Sequence, residues 1–299
     1  MTDGNFRCGF IAVVGRPNVG KSTLVNAMLG HKISIVTPKP QTTRHRILAV
    51  DSRDNCQLIF VDTPGLHRGA RKAINRMMNR TAAAALADAD AVLFVTEANR
   101  WTQEDSDVLQ RLQRATCPVI AVMNKVDKVH PKEQLLQAID DMSRRHAFAE
   151  VMPLSALKGD NVETLAKILP DLLPESEPLF PVDMLTDRGQ AFRAAEIIRE
   201  KLMLNLQQEI PYGLTVQVEN LAQDDSGITI HATVWVERDS QKGIVVGKNG
   251  SVLKKVGRAA RLELKRELGV PVHLELWTKV KGNWADNEQD LLLLGYESP

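Results

Sequence analysis

The chain is poor in cysteine, has no long apolar run and carries almost no net charge. Each shortage removes a class of protein. Its three cysteines, Cys8, Cys56 and Cys117, are odd in number, widely spaced and without metal-ligand pairing. A disulfide framework or a cysteine-bound metal is therefore not expected, and the thiols read as reduced in a cytoplasmic protein. No apolar stretch approaches the length of a membrane span. Met1-Thr2-Asp3-Gly4 lacks the basic start of a signal peptide. There is no internal repeat and no low-complexity tract. With 38 basic against 37 acidic residues the net charge is +1, so any preference for a charged partner has to be local. What is present, 43% hydrophobic and 25% charged residues, is the composition of a soluble globular protein, and 299 residues suit two domains.

Five short segments carry chemistry. Gly15-Arg16-Pro17-Asn18-Val19-Gly20-Lys21-Ser22 fits G-x-x-x-x-G-K-[ST]. It lies between an apolar run, Phe10 to Val14, that reads as a buried parallel strand and a helical stretch, Thr23 to Leu29. In that context the glycines let backbone amides approach phosphates, Lys21 adds a full positive charge, and the Ser22 hydroxyl suits Mg2+. Without the flanking pattern the segment would be an ordinary glycine turn.

Leu58 to Val61 reads as another strand and ends in Asp62-Thr63-Pro64-Gly65, where Asp62 can hold magnesium through water and Gly65 can offer its amide to a γ-phosphate. Between these boxes lies Gln41-Thr42-Thr43-Arg44, in a polar stretch containing Pro38 and Pro40. Thr43 is the expected hydroxyl for magnesium when a γ-phosphate is present. Thr42 competes, and spacing does not separate the two. A third strand, Val119 to Met123, ends in Asn124-Lys125-Val126-Asp127. The Asp127 carboxylate can accept from both N–H groups of guanine and would be mismatched on adenine. Asn124 braces the loop, and the Lys125 stem can lie along the base. Ser155-Ala156-Leu157 follows a fourth strand run and can present a backbone amide to the guanine oxygen. Nucleotide contact is thus expected at Gly15, Asn18, Val19, Gly20, Lys21, Ser22, Thr23, Asp62, Gly65, Asn124, Lys125, Asp127, Ser155, Ala156 and Leu157.

These boxes, in this order, resemble the translation-factor-related GTPases over residues 7 to about 172, which implies GTP and GDP as ligands with Mg2+. The chain departs from the Ras-like pattern at Leu66, where Ras-like enzymes carry a glutamine that orients the attacking water. A subset of these GTPases also has a hydrophobic residue there, together with an asparagine at the position of Asn18. Resemblance to that subset implies that Asn18 helps hold K+ at the catalytic centre, beside Lys21, Thr43 and Gly65. The alternative is that Asn18 is there because asparagine tolerates unusual backbone angles.

Leu173 to Pro181 holds Pro174, Pro178 and Pro181 and reads as a semi-rigid linker. The expected division is a GTP-binding domain over 1–172, a linker over 173–186 and a second domain over 187–299. Beyond the linker comes a helix from about Gly189 to Gln208. Two alternating strands follow, Leu214 to Glu219 and Ile228 to Glu237, joined by the turn signal Asp224-Asp225-Ser226-Gly227. Then come Gly247-Lys248-Asn249-Gly250, a helix from Ser251 to Leu268 ended by Gly269, and a last strand through Val272, Leu274 and Leu276. This order resembles the type II KH RNA-binding domain, in which a G-x-x-G loop clamps about four nucleotides of single-stranded RNA. From Arg238 to Lys281 eleven basic residues stand against four acids, a local charge of +7. Lys254, Arg258, Arg261 and Lys265 share one helical face, either an RNA-contact surface or simply a solvated one.

Taken together, the chain resembles the Era family of bacterial ribosome-assembly GTPases: an α/β P-loop GTPase domain followed by a smaller α+β type II KH domain. Gln41-Thr42-Thr43-Arg44-His45-Arg46, Asp62-Thr63-Pro64-Gly65-Leu66-His67 and Gly247-Lys248-Asn249-Gly250 follow that family's pattern. The resemblance implies binding near the 3′ end of 16S ribosomal RNA, a role in maturation of the 30S ribosomal subunit, and a monomer in the cytoplasm with peripheral contact to the inner membrane. No amphipathic stretch in the sequence accounts for membrane contact. Two other readings are a binding module in which GTP is a structural ligand, consistent with Leu66, and a GTPase acting on transfer RNA, against which only the KH-like half speaks.

Overall fold

The computed structural model of the chain describes residues 6–65, 72–206 and 210–296. It divides into two compact units, with the main boundary in sequence between Asp187 and Arg188 and the first residues of α2, up to Ile74, grouped with the second. The first unit contains β1 (Arg7–Val14), α1 (Lys21–Leu29), β2 (Ile47–Ser52), β3 (Cys56–Asp62), α2 (Ala73–Ala87) and β4 (Ala91–Glu97). It continues with α3 (Gln103–Leu112), β5 (Val119–Asn124), α4 (Gln134–Ser143), β6 (Glu150–Pro153) and α5 (Val162–Ile168). The strands form one six-stranded sheet in the order β2-β3-β1-β4-β5-β6. Only β2 runs antiparallel to its neighbour. Parallel strands covered on both faces read as continuous apolar runs. Ile11 to Val14, Leu58 to Phe60 and Val92 to Val95 are accordingly closed to solvent. One sheet face packs Ala12, Val14, Val92 and Phe94 against Ala82 of α2 and Val108, Leu109 and Leu112 of α3. The boxes lie at the C-terminal ends of β1, β3, β5 and β6 or, for residues 41–44, in the loop into β2, and open α/β sheets bind ligands at the C-terminal ends of their strands.

The Pro-rich stretch is not a free spacer over its described length, because it lies along the sheet. Gln57 is fully buried: its Oε1 accepts from the amides of Leu179 (2.9 Å) and Phe180 (3.0 Å), and its Nε2 donates to the Phe180 carbonyl (2.8 Å). Further on, the Val50 amide donates to the Leu185 carbonyl and the Leu48 amide to Asp187 Oδ1, each at 3.0 Å. β2 is an edge strand with unpaired backbone groups, and this segment covers part of that edge.

The second unit contains α6 (Gln190–Asn205), β7 (Leu214–Asp224), β8 (Gly227–Val236), α7 (Asp239–Val246), α8 (Ser251–Leu268), β9 (Val272–Val280) and α9 (Glu288–Leu293). Its sheet runs β7-β8-β9, the first pair antiparallel and the second parallel. Ile230, Ala232, Val234 and Val236 of β8 pack against Ile198 and Leu202 of α6 and Val256, Ala260 and Leu264 of α8. β7 extends past the alternating run Leu214 to Glu219 because the register shifts between Val218 and Asn220. Such a bulge breaks the period of two that the eye follows. The first helix ends at Asn205, and Gln208 lies outside the described residues.

Candidate nucleotide site and nucleic-acid face

A cavity of about 370 Å³ is lined by residues of all the boxes, among them Asn18, Gly20, Lys21, Ser22, Thr23, Thr43, Gly65, Asn124, Lys125, Asp127 and Leu157. Two glycines let the loop lie close against the strand ends beneath it. A Cβ on Gly15 would stand 2.3 Å from the Val95 carbonyl oxygen, and one on Gly20 would stand 2.3 Å from Asn124 Nδ2. Gly20 also has φ +104°, which side chains rarely adopt. Any larger residue would push the loop away from the strand ends that support it.

Lys21 opens α1 and is buried; its Nζ donates to the carbonyls of Gly15 and Arg16, both at 3.1 Å. Burial lowers its pKa from the ordinary 10.5 to about 8, with Asp62 acting against that shift and Arg16 adding to it. Ser22 Oγ and Thr43 Oγ1 lie 2.8 Å apart. Thr42 is engaged elsewhere, with Thr37 Oγ1 at 2.6 Å and the Lys39 carbonyl at 2.7 Å. Asp62 is fully buried, and neither of its oxygens has a hydrogen-bond partner, nor has the buried Ser34 hydroxyl. Burial raises the Asp62 pKa, an effect that the nearby Ser34 and Ser22 hydroxyls and Lys21 only partly offset. Unpartnered carboxylate oxygens beside a pair of hydroxyls are the oxygen donors that Mg2+ takes, directly or through water, so these residues fit that ion. Gly65 approaches the phosphate loop so closely that a Cβ would lie 2.9 Å from the Pro17 nitrogen. Leu66 and His67 lie outside the described residues. Asn18, at φ 63°, donates from Nδ2 to the Pro38 carbonyl at 3.0 Å.

On the base side, Asn124 is 2% exposed and ties three loops together. Its Nδ2 donates to the Val19 carbonyl at 2.8 Å, while its Oδ1 accepts from the amides of Lys125 (2.7 Å) and Ala156 (3.0 Å). The Ala156 amide is thus occupied and the Ser155 amide donates to the Asp160 carbonyl; the Leu157 amide has no protein acceptor among the described residues. Ser155 Oγ donates to Asp127 Oδ1 at 2.6 Å, and this bond chiefly holds the Asp127 carboxyl below its usual range. Asp127 is therefore an ionised acceptor at the edge of the cavity.

Sequence reasoning missed Glu97 and Asp105 and gave Arg16 no role beyond its place in the phosphate-loop motif. Arg16 pairs with Asp105 at 3.1 Å and with Glu97 at 2.5 Å, and Glu97 also pairs with Lys125. No local pattern announces such contacts; a carboxylate closing a strand beside two loop cations would have been the only signal.

In the second unit, Gly247 (φ 72°), Asn249 (φ 53°) and Gly250 (φ 75°) all take left-handed backbone angles between α7 and α8. A Cβ on Gly247 would sit 2.5 Å from Val252 Cγ2, so the tight turn needs that glycine. Lys248 and Asn249 are exposed. On α8, Lys254, Arg258, Arg261 and Lys265 are exposed opposite the buried Val256, Ala260 and Leu264. None of these four cations pairs with an acid among the described residues.

Residues 10–125 match the family described as 50S ribosome-binding GTPase, and residues 209–285 match the KH domain. The chain is 50% identical over 290 residues to GTPase Era of Yersinia pestis (strain Pestoides F), covering 97% of this chain and 96% of the relative. It is 46% identical over 297 residues to GTPase Era of Pseudomonas fluorescens (strain Pf0-1), covering 99% of each. Among solved structures, a variant of Aquifex aeolicus Era bound to GDP and AlF4- is similar with a TM-score of 0.94 and 40% identity, over 97% of this chain and 99% of that one. An Era in complex with MgGDPNP and nucleotides 1506–1542 of 16S ribosomal RNA is similar to the same degree, with TM-score 0.94, 40% identity and the same coverage.

Proposed function

From the premise that this chain belongs to the Era family of GTPases, and so hydrolyses GTP, we propose a switch whose second unit binds 16S ribosomal RNA near its 3′ end and which assists assembly of the 30S subunit. The observation that carries the switch reading is the Ser22–Thr43 hydroxyl pair beside an Asp62 with both oxygens unpartnered. In this reading the loop amides and Lys21 hold the phosphates, Ser22 and Thr43 ligate Mg2+, and Asp62 holds it through water. When bound, the ion would supply positive charge against the phosphates. Gly65 donates its amide to the γ-phosphate, which places the segment after Asp62 under nucleotide control. Asp127 takes the guanine N–H groups. Asn18 retains its side-chain oxygen as a ligand for K+, since its amide nitrogen is the group bonded to Pro38.

Gly247, Lys248, Asn249 and Gly250 hold the RNA backbone, and Lys254, Arg258 and Arg261 follow its phosphates. Four exposed cations without acidic partners favour an anionic polymer over a merely solvated face, and the KH-like unit disfavours the transfer RNA reading. No described helix is long and apolar enough to cross a membrane. Membership of the family is our ground for proposing a monomer with peripheral membrane contact.

The test is a titration with single-stranded RNA of the 16S 3′-terminal sequence. It is done with the protein loaded with GDP and with a non-hydrolysable GTP analogue. Tighter binding with the analogue is expected. Equal affinity in both states would reduce the protein to two independent modules, with GTP a structural ligand.

A further inference from the structure

Glu97 ends β4 and shares its carboxylate between the two halves of the nucleotide cradle. Oε2 accepts from Arg16 Nη2 at 2.5 Å, and Oε1 accepts from Lys125 Nζ. Arg16 belongs to the phosphate loop and Lys125 to the guanine loop. Lys125 Nζ also donates to the Asn18 carbonyl at 2.6 Å, back in the phosphate loop. Arg16, Glu97, Lys125 and Asn18 therefore form a closed ring that joins the two loops. The ring has an anchor. Arg16 Nε donates to Asp105 Oδ2 at 3.1 Å, and the same oxygen accepts from the Thr102 amide (2.8 Å) and hydroxyl (2.7 Å), capping α3. Asp105 is fully buried, and the Glu97 side chain is 16% exposed.

We propose that Glu97 is a positioning residue that sets the dwell time of bound guanine nucleotide by latching the phosphate loop to the guanine loop. It is not among the residues that line the cavity. A carboxylate between two largely desolvated cations gains from both, whereas a neutral group leaves Arg16 with Asp105 alone and Lys125 with no acid partner among the described residues. Burial alone would raise the Glu97 pKa, yet its bonds to Lys125 and Arg16 hold it below the carboxylate range, so it stays ionised near neutrality. Nucleotide held at one end by residues 15–22 and at the other by residues 124–127 leaves when these loops separate, and the latch resists that separation. The effect falls on dissociation, as most interface effects do.

The inference rests on reading the boxes as a guanine-nucleotide site. The experiment is stopped-flow release of a fluorescent GDP from the full chain, with association and thermal unfolding measured alongside. Glu97→Gln is nearly isosteric but offers an amide donor to one of the two cations. It is expected to release GDP at least tenfold faster, with association changed less than twofold. Arg16→Lys keeps the charge but loses the fork between Glu97 and Asp105, and is expected to accelerate release about threefold. Release from Glu97→Gln within twofold of wild type overturns the latch, even if the variant unfolds at lower temperature. If Glu97→Gln does not fold, unchanged release from Arg16→Lys overturns it equally. A wild-type chain that fails to bind the fluorescent GDP takes down the site reading, and the latch with it.

Discussion

Ser22 Oγ lies 2.8 Å from Thr43 Oγ1, so the first turn of α1 is already joined to a segment that has no regular structure of its own. Two hydroxyls this close could both ligate one metal ion with little movement. The neighbouring Thr42 is spent on Thr37 and Lys39, which shapes the loop instead. Thr43→Ala should therefore weaken a GTP analogue with Mg2+ by about tenfold, the worth of one charge-assisted contact, and leave GDP within about twofold. Thr42→Ala should affect both nucleotides alike. Affinities of both variants for both nucleotides decide; a selective loss in Thr42→Ala would reverse the assignment.

Guanine selectivity should follow Asp127. Asp127→Asn replaces an ionised acceptor with a side chain that can donate, which suits the carbonyl of xanthine and repels the amino group of guanine. Two charge-assisted bonds at about 1.5–3 kcal/mol each predict a loss of at least a hundredfold in GTP affinity and a gain for XTP. Competition binding with GTP, ATP and XTP checks this, and retained GTP preference would show that another residue reads the base.

Lys21 makes nucleotide affinity depend on pH in a defined direction. In the free site burial holds its pKa at about 8, while a bound phosphate would draw it back up toward its ordinary value. Binding then takes up a proton wherever the free lysine is neutral. Affinity should be flat below about pH 7.5 and fall above about 8, by at most about tenfold per pH unit. Isothermal titration in buffers of different ionisation enthalpy would show the proton uptake directly. No uptake near pH 8.5 would mean that Lys21 is fully charged before nucleotide arrives.

Asn18 bears on the cation. Asn18→Ala should abolish any excess of turnover in K+ over Na+ while leaving GDP affinity within about threefold, since among the described residues the side chain holds only the Pro38 carbonyl. Equal wild-type turnover in the two salts at matched ionic strength would leave Asn18 as a loop residue chosen for its backbone, consistent with its φ of 63°.

The strand–loop–helix contexts made the phosphate and guanine boxes legible in the sequence, because each box is local and follows an apolar run. The choice between Thr42 and Thr43 was not legible. Adjacent threonines share every local cue, and only the approach of Ser22 across 21 positions distinguishes them. The same holds for Arg16 with Asp105 and for Gln57 with Phe180, whose partners lie 89 and 123 positions away. A buried polar side chain leaves no periodic trace when its partner lies on another element. In the second unit the bulge at Val218 and Asn220 hid the far half of β7, although the alternation of β8 was plain.

The G-x-x-G loop offers the sharpest test of the second unit. Lys248 and Asn249 are exposed, and Asn249 sits at φ 53°, an angle that aspartate also tolerates. Changing both to Asp should therefore keep the turn that Gly247 and Gly250 require, while placing two negative charges against an RNA backbone. Losing the Lys248 contact should lower the slope of log affinity against log salt by about 0.7, the value for one phosphate contact on a single strand. Repulsion from the new carboxylates adds to that loss, so affinity should fall by about ten- to a hundredfold at moderate salt. Nucleotide affinity should not change, because every box lies in the first unit. A loop that is only a turn, beside a helix face that is only solvated, predicts no change in RNA affinity. Salt-dependent titration of wild type and double variant, with far-ultraviolet circular dichroism to show that α7 and α8 persist, separates the two accounts.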